Sequence, residues 1–154
     1  MYVKAKKSLN TELKHFLRYK ENKDVNKVEF CDLSGQFVRG IIEARQDGFI
    51  VFLTDEHVFF LEHDQECCES VYIEDIIGDL SELVGQKIVS AEDVYSDGTT
   101  ENVECSTWSF YKIQGEKDSA TIRFFGESNG CYSETADLYR VDKECWDIIL
   151  SKIS

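Results

Sequence analysis

Gln46-Asp47-Gly48-Phe49-Ile50-Val51-Phe52-Leu53-Thr54-Asp55-Glu56-His57-Val58-Phe59-Phe60-Leu61-Glu62 is the stretch on which the fold turns. Gln46-Asp47-Gly48 is a tight-turn signal, and Thr54-Asp55-Glu56 reverses the chain between two apolar runs. Neither run, Phe49–Leu53 or His57–Glu62, has a polar face. Strands of that kind belong at the centre of a sheet that is covered, at least in part, on both sides.

Working outward toward the amino terminus, Val28–Cys31 and Phe37–Ala44 read as strands flanking Ser34-Gly35. Before them, Leu9, Leu13, Phe16 and Leu17 recur at helical spacing, with Lys14, Arg18 and Lys20 on the opposite side. A helix is expected at about 9–20, with Ser8 or Asn10 as its cap. Toward the carboxyl terminus, Val71–Ile77 fits a short helix or an irregular strand. Asp79–Gly85 looks like one helical turn closed by glycine. Strands follow at Lys87–Tyr95, Glu104–Ile113, Ala120–Gly126 and Cys131–Val141, joined by polar, glycine-bearing connections. Asp142 can cap a final helix at about 142–152, in which Trp146, Ile149, Leu150 and Ile153 share a face. The expected fold is α+β: residues 1–154 as a single domain, with a largely antiparallel β-meander over about 26–141 between an N-terminal and a C-terminal helix.

Charge is the anomaly in the composition. Thirty acidic residues against seventeen basic ones give a net charge of −13. Residues 1–28 hold eight basic and three acidic groups, a net +5, so the remainder carries −18. Between Arg45 and Lys87 there are eleven carboxylates and no lysine or arginine. Such a surface repels nucleic acid and anionic membrane and attracts basic surfaces or cations. Direct nucleic-acid binding has only the basic first helix in its favour. The longest apolar runs are too short to cross a bilayer. The amino terminus has no apolar signal core, so a cytoplasmic chain with six reduced cysteines is expected.

Few residues group into recognisable chemistry. Glu62-His63-Asp64-Gln65-Glu66-Cys67-Cys68-Glu69-Ser70 gathers a histidine, two thiols and four carboxylates. His63, Cys67 and Cys68 are weak candidate metal ligands, because adjacent cysteines diverge and zinc pairs usually come from Cys-x-x-Cys or His-x-x-x-His. Cys67 and Cys68 stand beside Glu66 and Glu69, which oppose thiolate formation and covalent catalysis. Phosphate-binding glycine fingerprints are missing. No catalytic residue and no cofactor is expected. Trp108, Arg123, Glu127, Ser128, Asn129 and Tyr132 form a second candidate group, around the polar hairpin tip at Glu127–Gly130. Arginine and aromatic rings there suit a phosphate and a base.

The segment from Glu62 to Ile88 includes His63-Asp64-Gln65-Glu66-Cys67-Cys68-Glu69-Ser70-Val71-Tyr72-Ile73-Glu74-Asp75-Ile76-Ile77-Gly78-Asp79-Leu80. It resembles a family of small phage and prophage proteins that share a block of the type His-x-x-Asp-Cys-Cys-Glu-Ser-Val-Tyr-Ile-Glu-Asp-Ile-x-Gly-Asp-Leu. Thr107–Lys112 and Thr121–Gly130 match further, so the resemblance covers roughly residues 50–139. Cys131 stands where members usually carry tyrosine. No reaction is assigned to that family. The resemblance implies a phage setting and an accessory role such as inhibition of host defence.

Together, charge and resemblance give the leading expectation: an acidic, non-enzymatic phage-type protein that occupies a basic, nucleic-acid-binding surface of a host protein. Asp64, Glu66, Glu69, Glu74, Asp75, Asp79 and Glu82 would face that surface. The alternatives are a sponge for a small nucleotide signal, and a small metal protein or enzyme built on His63, Cys67 and Cys68.

Overall fold

The computed structural model describes residues 1–4, 25–63, 68–97, 105–130, 133–141, 143 and 147. These residues are mostly β. In order they form β1 (Tyr2–Lys4), β2 (Asn26–Val28), β3 (Val38–Ala44), β4 (Phe49–Thr54), β5 (Val58–Glu62), β6 (Ser70–Gly78), β7 (Ile88–Asp97), β8 (Cys105–Gly115), β9 (Ser119–Ser128) and β10 (Asp137–Val141). Short 3-10 turns occupy Phe30–Leu33, Arg45–Asp47 and Leu80–Leu83.

The strands make two sheets, one of six in the order β1-β3-β4-β5-β10-β2 and one of four in the order β6-β9-β8-β7. All pairings are antiparallel except β1 with β3. The α+β expectation is therefore corrected to a mostly β fold. A single meander between helices is replaced by two sheets, because β6 leaves the first sheet and founds the second. The helix expected at 9–20 lies outside the described residues, as does that at 142–152 except for Lys143 and Asp147.

The apolar hairpin sits where its composition requires. Strand β5 is buried along its whole length and β4 nearly so. On one face Ile41, Ile50, Phe52, Phe59 and Leu61 pack against Ile122, Phe124, Tyr111 and Ile113 of the second sheet. On the other face Ile42, Phe49, Val51, Val58 and Phe60 form a second cluster with Val141. Alternation along each strand splits the residues between the two clusters, as the pleat demands. Each fully buried large side chain of this kind stabilises by about 1.5–3 kcal/mol relative to exposure.

Several local expectations shift by a few residues for identifiable reasons. The turn before β4 closes at Gly48, whose φ of 63° is left-handed and suits glycine. Glu29–Cys31 is not strand but the entry to a 3-10 turn, where the Glu29 amide donates to Asp32 Oδ2 at 3.0 Å. Val71–Ile77 is strand, made irregular by a bulge between Ile73 and Asp75. Of the expected strand 131–141, residues 131 and 132 lie outside the described residues, Asp137–Val141 pairs, and residues 133–136 run across the rim of the second sheet.

That rim contact is close. A Cβ placed on Gly126 would meet the Glu134 carbonyl oxygen at 2.0 Å. Gly126→Ala should lower stability by about 3 kcal/mol through overpacking against backbone that cannot yield. Urea denaturation followed by tryptophan fluorescence checks this; wild-type stability in that variant would contradict the packing described.

Candidate functional site

Strand β7 is an edge of the second sheet, and its two halves differ. The first half is covered: the Gly35 amide donates to Ile88 O at 2.8 Å, the Ile88 amide to Gln36 O at 2.8 Å, and the Ala91 amide to Ser34 Oγ at 3.1 Å. Beyond Ala91, every residue from Glu92 to Asp97 is exposed. Among the described residues, only β8 hydrogen-bonds to that half through the backbone. Glu92, Asp93 and Asp97 carry it, and no described cation lies within bridging distance of any of them. Acidic side chains are one device by which an open edge resists uncontrolled pairing.

Asp93 and Tyr95 turn toward the six-stranded sheet. There they line a cleft of about 340 Å³ together with Lys27, Glu29, Tyr111 and Asp137. The Tyr95 hydroxyl donates to Asp93 Oδ2 at 2.6 Å. Its ring meets that of Tyr111 edge-on, with centroids 6.2 Å apart. Burial, and then the bond to Asp93, raise the Tyr95 pKa well above the usual phenol value. Tyr111 is held deeper: its hydroxyl donates to Ala136 O at 2.8 Å and accepts from the Ala136 amide at 3.0 Å. Burial pushes its pKa up to about 12. Both phenols therefore stay neutral at physiological pH. Lys27 pairs with Asp137 at 3.2 Å, which leaves the rim with three carboxylates against one ammonium.

The outer face of the second sheet carries a different arrangement. Its register aligns Asp75, Arg123 and Phe110 in one row and Tyr72, Phe125 and Trp108 in the next. Arg123 donates Nε and Nη2 to the two oxygens of Asp75 at 2.7 and 2.6 Å, while its guanidinium lies 4.8 Å from the centre of the Trp108 ring. Trp108 and Phe125 rings are 4.6 Å apart. Tyr72, 43% exposed, meets Phe125 edge-on. Of the six residues expected to hold a small ligand, Trp108 and Arg123 are thus brought together, with Glu127 further along the same strand face. Ser128 turns away, donating to Glu134 and accepting from the Gly130 amide. Asn129 is exposed at the tip, and Tyr132 lies outside the described residues. A phosphate reaching Arg123 would have to displace a bidentate carboxylate.

His63 is committed to structure. Its Nδ1 lies 2.9 Å from Thr135 O and its Nε2 3.1 Å from Glu69 Oε1, with side chains 5% and 0% exposed. A carbonyl only accepts, so Nδ1 carries a proton toward Thr135, and a further proton lies between Nε2 and Glu69. Both ring nitrogens are thereby occupied, which opposes metal ligation by His63. Cys68 is exposed, and Cys67 lies outside the described residues. Among the described residues no group of three potential ligands converges.

Of the seven acids expected to share a face, the five described ones have different surroundings. Asp64 and Glu66 lie outside the described residues. Glu69 is buried against His63, Asp75 is paired with Arg123, and Asp79 caps the turn at Leu80–Leu83 by accepting from the Ser81 amide at 2.9 Å. Glu74 and Glu82 are exposed. The open carboxylates of β7 escape a reading built on the arginine- and lysine-free segment, because they follow Lys87. Their signal was the run Glu92-Asp93-Val94-Tyr95-Ser96-Asp97, which places charge on both faces and so reads as an edge.

Among the described residues, no helix is long and apolar enough to cross a membrane. A family model described as a domain of unknown function, DUF7448, matches residues 12–138. The chain matches no curated protein and no solved structure.

Removing Glu69 takes away the carboxylate that the buried His63 Nε2 faces at 3.1 Å. Glu69→Ala should cost about 3 kcal/mol of stability. Chemical denaturation of the variant measures this, and a change near zero would show that the pair does not stabilise the fold.

Proposed function

The chain belongs to the family of DUF7448, a domain of unknown function, and we propose on the grounds of its charge and its open strand edge that it is a non-enzymatic, acidic binding protein whose partner is a basic protein surface. The observation that carries this reading is the exposed half of β7, where Glu92, Asp93 and Asp97 make no described ion pair and stand beside an acid-rimmed cleft. A net charge of −13 adds a long-range field that steers cationic partners toward the molecule and nucleic acid away. In the phage setting implied by the sequence resemblance, the partner is a host defence protein in the bacterial cytoplasm. The carboxylates would cover a groove that otherwise receives a phosphate backbone.

A pull-down from host lysate with the immobilised chain tests this. The partner retained should be basic, and it should elute between about 0.1 and 1 M salt, over which the screening length falls from about 10 to 3 Å. The combined variant Glu92→Lys, Asp93→Lys, Asp97→Lys should lose it. Retention that is indifferent to both salt and charge reversal would refute the electrostatic reading.

A second reading, sequestration of a small nucleotide, is favoured by the approach of Arg123 to the Trp108 ring. It requires a nucleotide that stacks on Trp108 and takes over the bond from Arg123 to Asp75. Calorimetry with cyclic and linear nucleotides should then give saturable heat that Trp108→Ala removes. Absence of heat across the panel would end this reading in favour of the protein partner.

A further inference from the structure

From the open half of β7 we infer that the partner is engaged as an added β-strand: an extended segment with lysine or arginine at alternating positions, pairing along Glu92–Asp97. This rests on the acidic-binder reading and specifies how the basic partner is held. In an antiparallel pair, alternate residues direct their backbone amide and carbonyl groups away from the neighbouring strand. Beyond Ala91 those outward groups of β7 meet no described residue, whereas before it they are taken up by residues 34–37. The open row is therefore a built template with a defined start.

Side-chain alternation supplies the specificity. On one face Asp93 and Tyr95 reach the 340 Å³ cleft, whose rim adds Glu29 and the Lys27–Asp137 pair and whose wall includes Phe30. That volume lies at the small end of ligand pockets and suits a single long side chain. A lysine or arginine entering it meets carboxylates at the rim and the aromatic side chains of Phe30, Tyr95 and Tyr111 in the lining, a setting that can favour a cation. On the other face Val94, 40% exposed, stands between Glu92 and Ser96. An added strand would place its apolar residues on this face, against Val94, and its cations on the cleft face. Backbone pairing then gives affinity and the alternating pockets give selectivity. Charge complementarity selects a basic segment over a second copy of this chain, whose β7 would bring like charges together.

The probe is acetyl-Lys-Val-Lys-Val-Lys-Val-amide, in three forms: unmodified, N-methylated at the lysines, and N-methylated at the valines. Binding to the full chain is measured by fluorescence anisotropy. Strand addition uses the amides of only one alternate set, so one methylated peptide should lose about tenfold or more in affinity while the other keeps it. Asp93→Asn should weaken the unmodified peptide, and Glu82→Gln, on the turn at Leu80–Leu83 and outside the Glu92–Asp97 edge, should not. If both methylated peptides bind like the parent, charge alone is at work: the strand-addition proposal is overturned and the electrostatic reading survives. If no peptide binds while a basic protein is still captured, edge pairing is likewise refuted. If neither peptide nor basic protein binds, both fall together.

Discussion

The organisation of this molecule follows from a hairpin with no polar face. Phe49–Thr54 and Val58–Glu62 bury their side chains on both sides, so each face of their sheet must be covered. One cover is the four-stranded sheet, which contributes Ile122, Phe124, Tyr111 and Ile113 to the shared core. That sheet is longer-stranded than the six-stranded sheet it covers; β7, β8 and β9 run for ten, eleven and ten residues. Its far end, from Glu92 onward, overhangs the contact. The overhang is what opens both an edge and a cleft.

Polar groups that the packing draws inward are neutralised locally. His63 and Glu69 join the end of the hairpin to the start of the second sheet, and Thr135 closes the arrangement from the rim. Arg123 is shared between Asp75 and Trp108 on the outer face. Such groups read as chemistry in the sequence, yet their partners are supplied by the fold. The carboxylates of β7 make no described ion pair and stand on an open strand edge, which is why function is assigned there and not to the denser acidic segment.

The sequence carried the central hairpin clearly, because Phe49–Leu53 and His57–Glu62 announce burial on both faces and Gln46-Asp47-Gly48 and Thr54–Glu56 announce their turns. The turn at Asp79–Gly85 was legible for the same reason: an aspartate able to cap and a glycine able to take a φ of 89°. Strand pairing was not legible, since nothing local in Ser70–Gly78 states that it pairs with Ser119–Ser128 and leaves the first sheet. The pairing of Trp108 with Arg123 could be suspected from residue type, but Asp75 as the third member depends on a bulge that shifts register between Ile73 and Asp75. The segment around His63 looked like a metal site because sequence lists donors without showing that Thr135 and Glu69 already use them.

The most direct test is residue-resolved amide hydrogen exchange of the chain, alone and with its captured basic partner. The account requires new protection on alternate amides between Glu92 and Asp97, while the rows around Trp108 and Arg123 stay as they were. Protection centred on the Trp108 and Arg123 rows, with Glu92–Asp97 still exchanging freely, would contradict it.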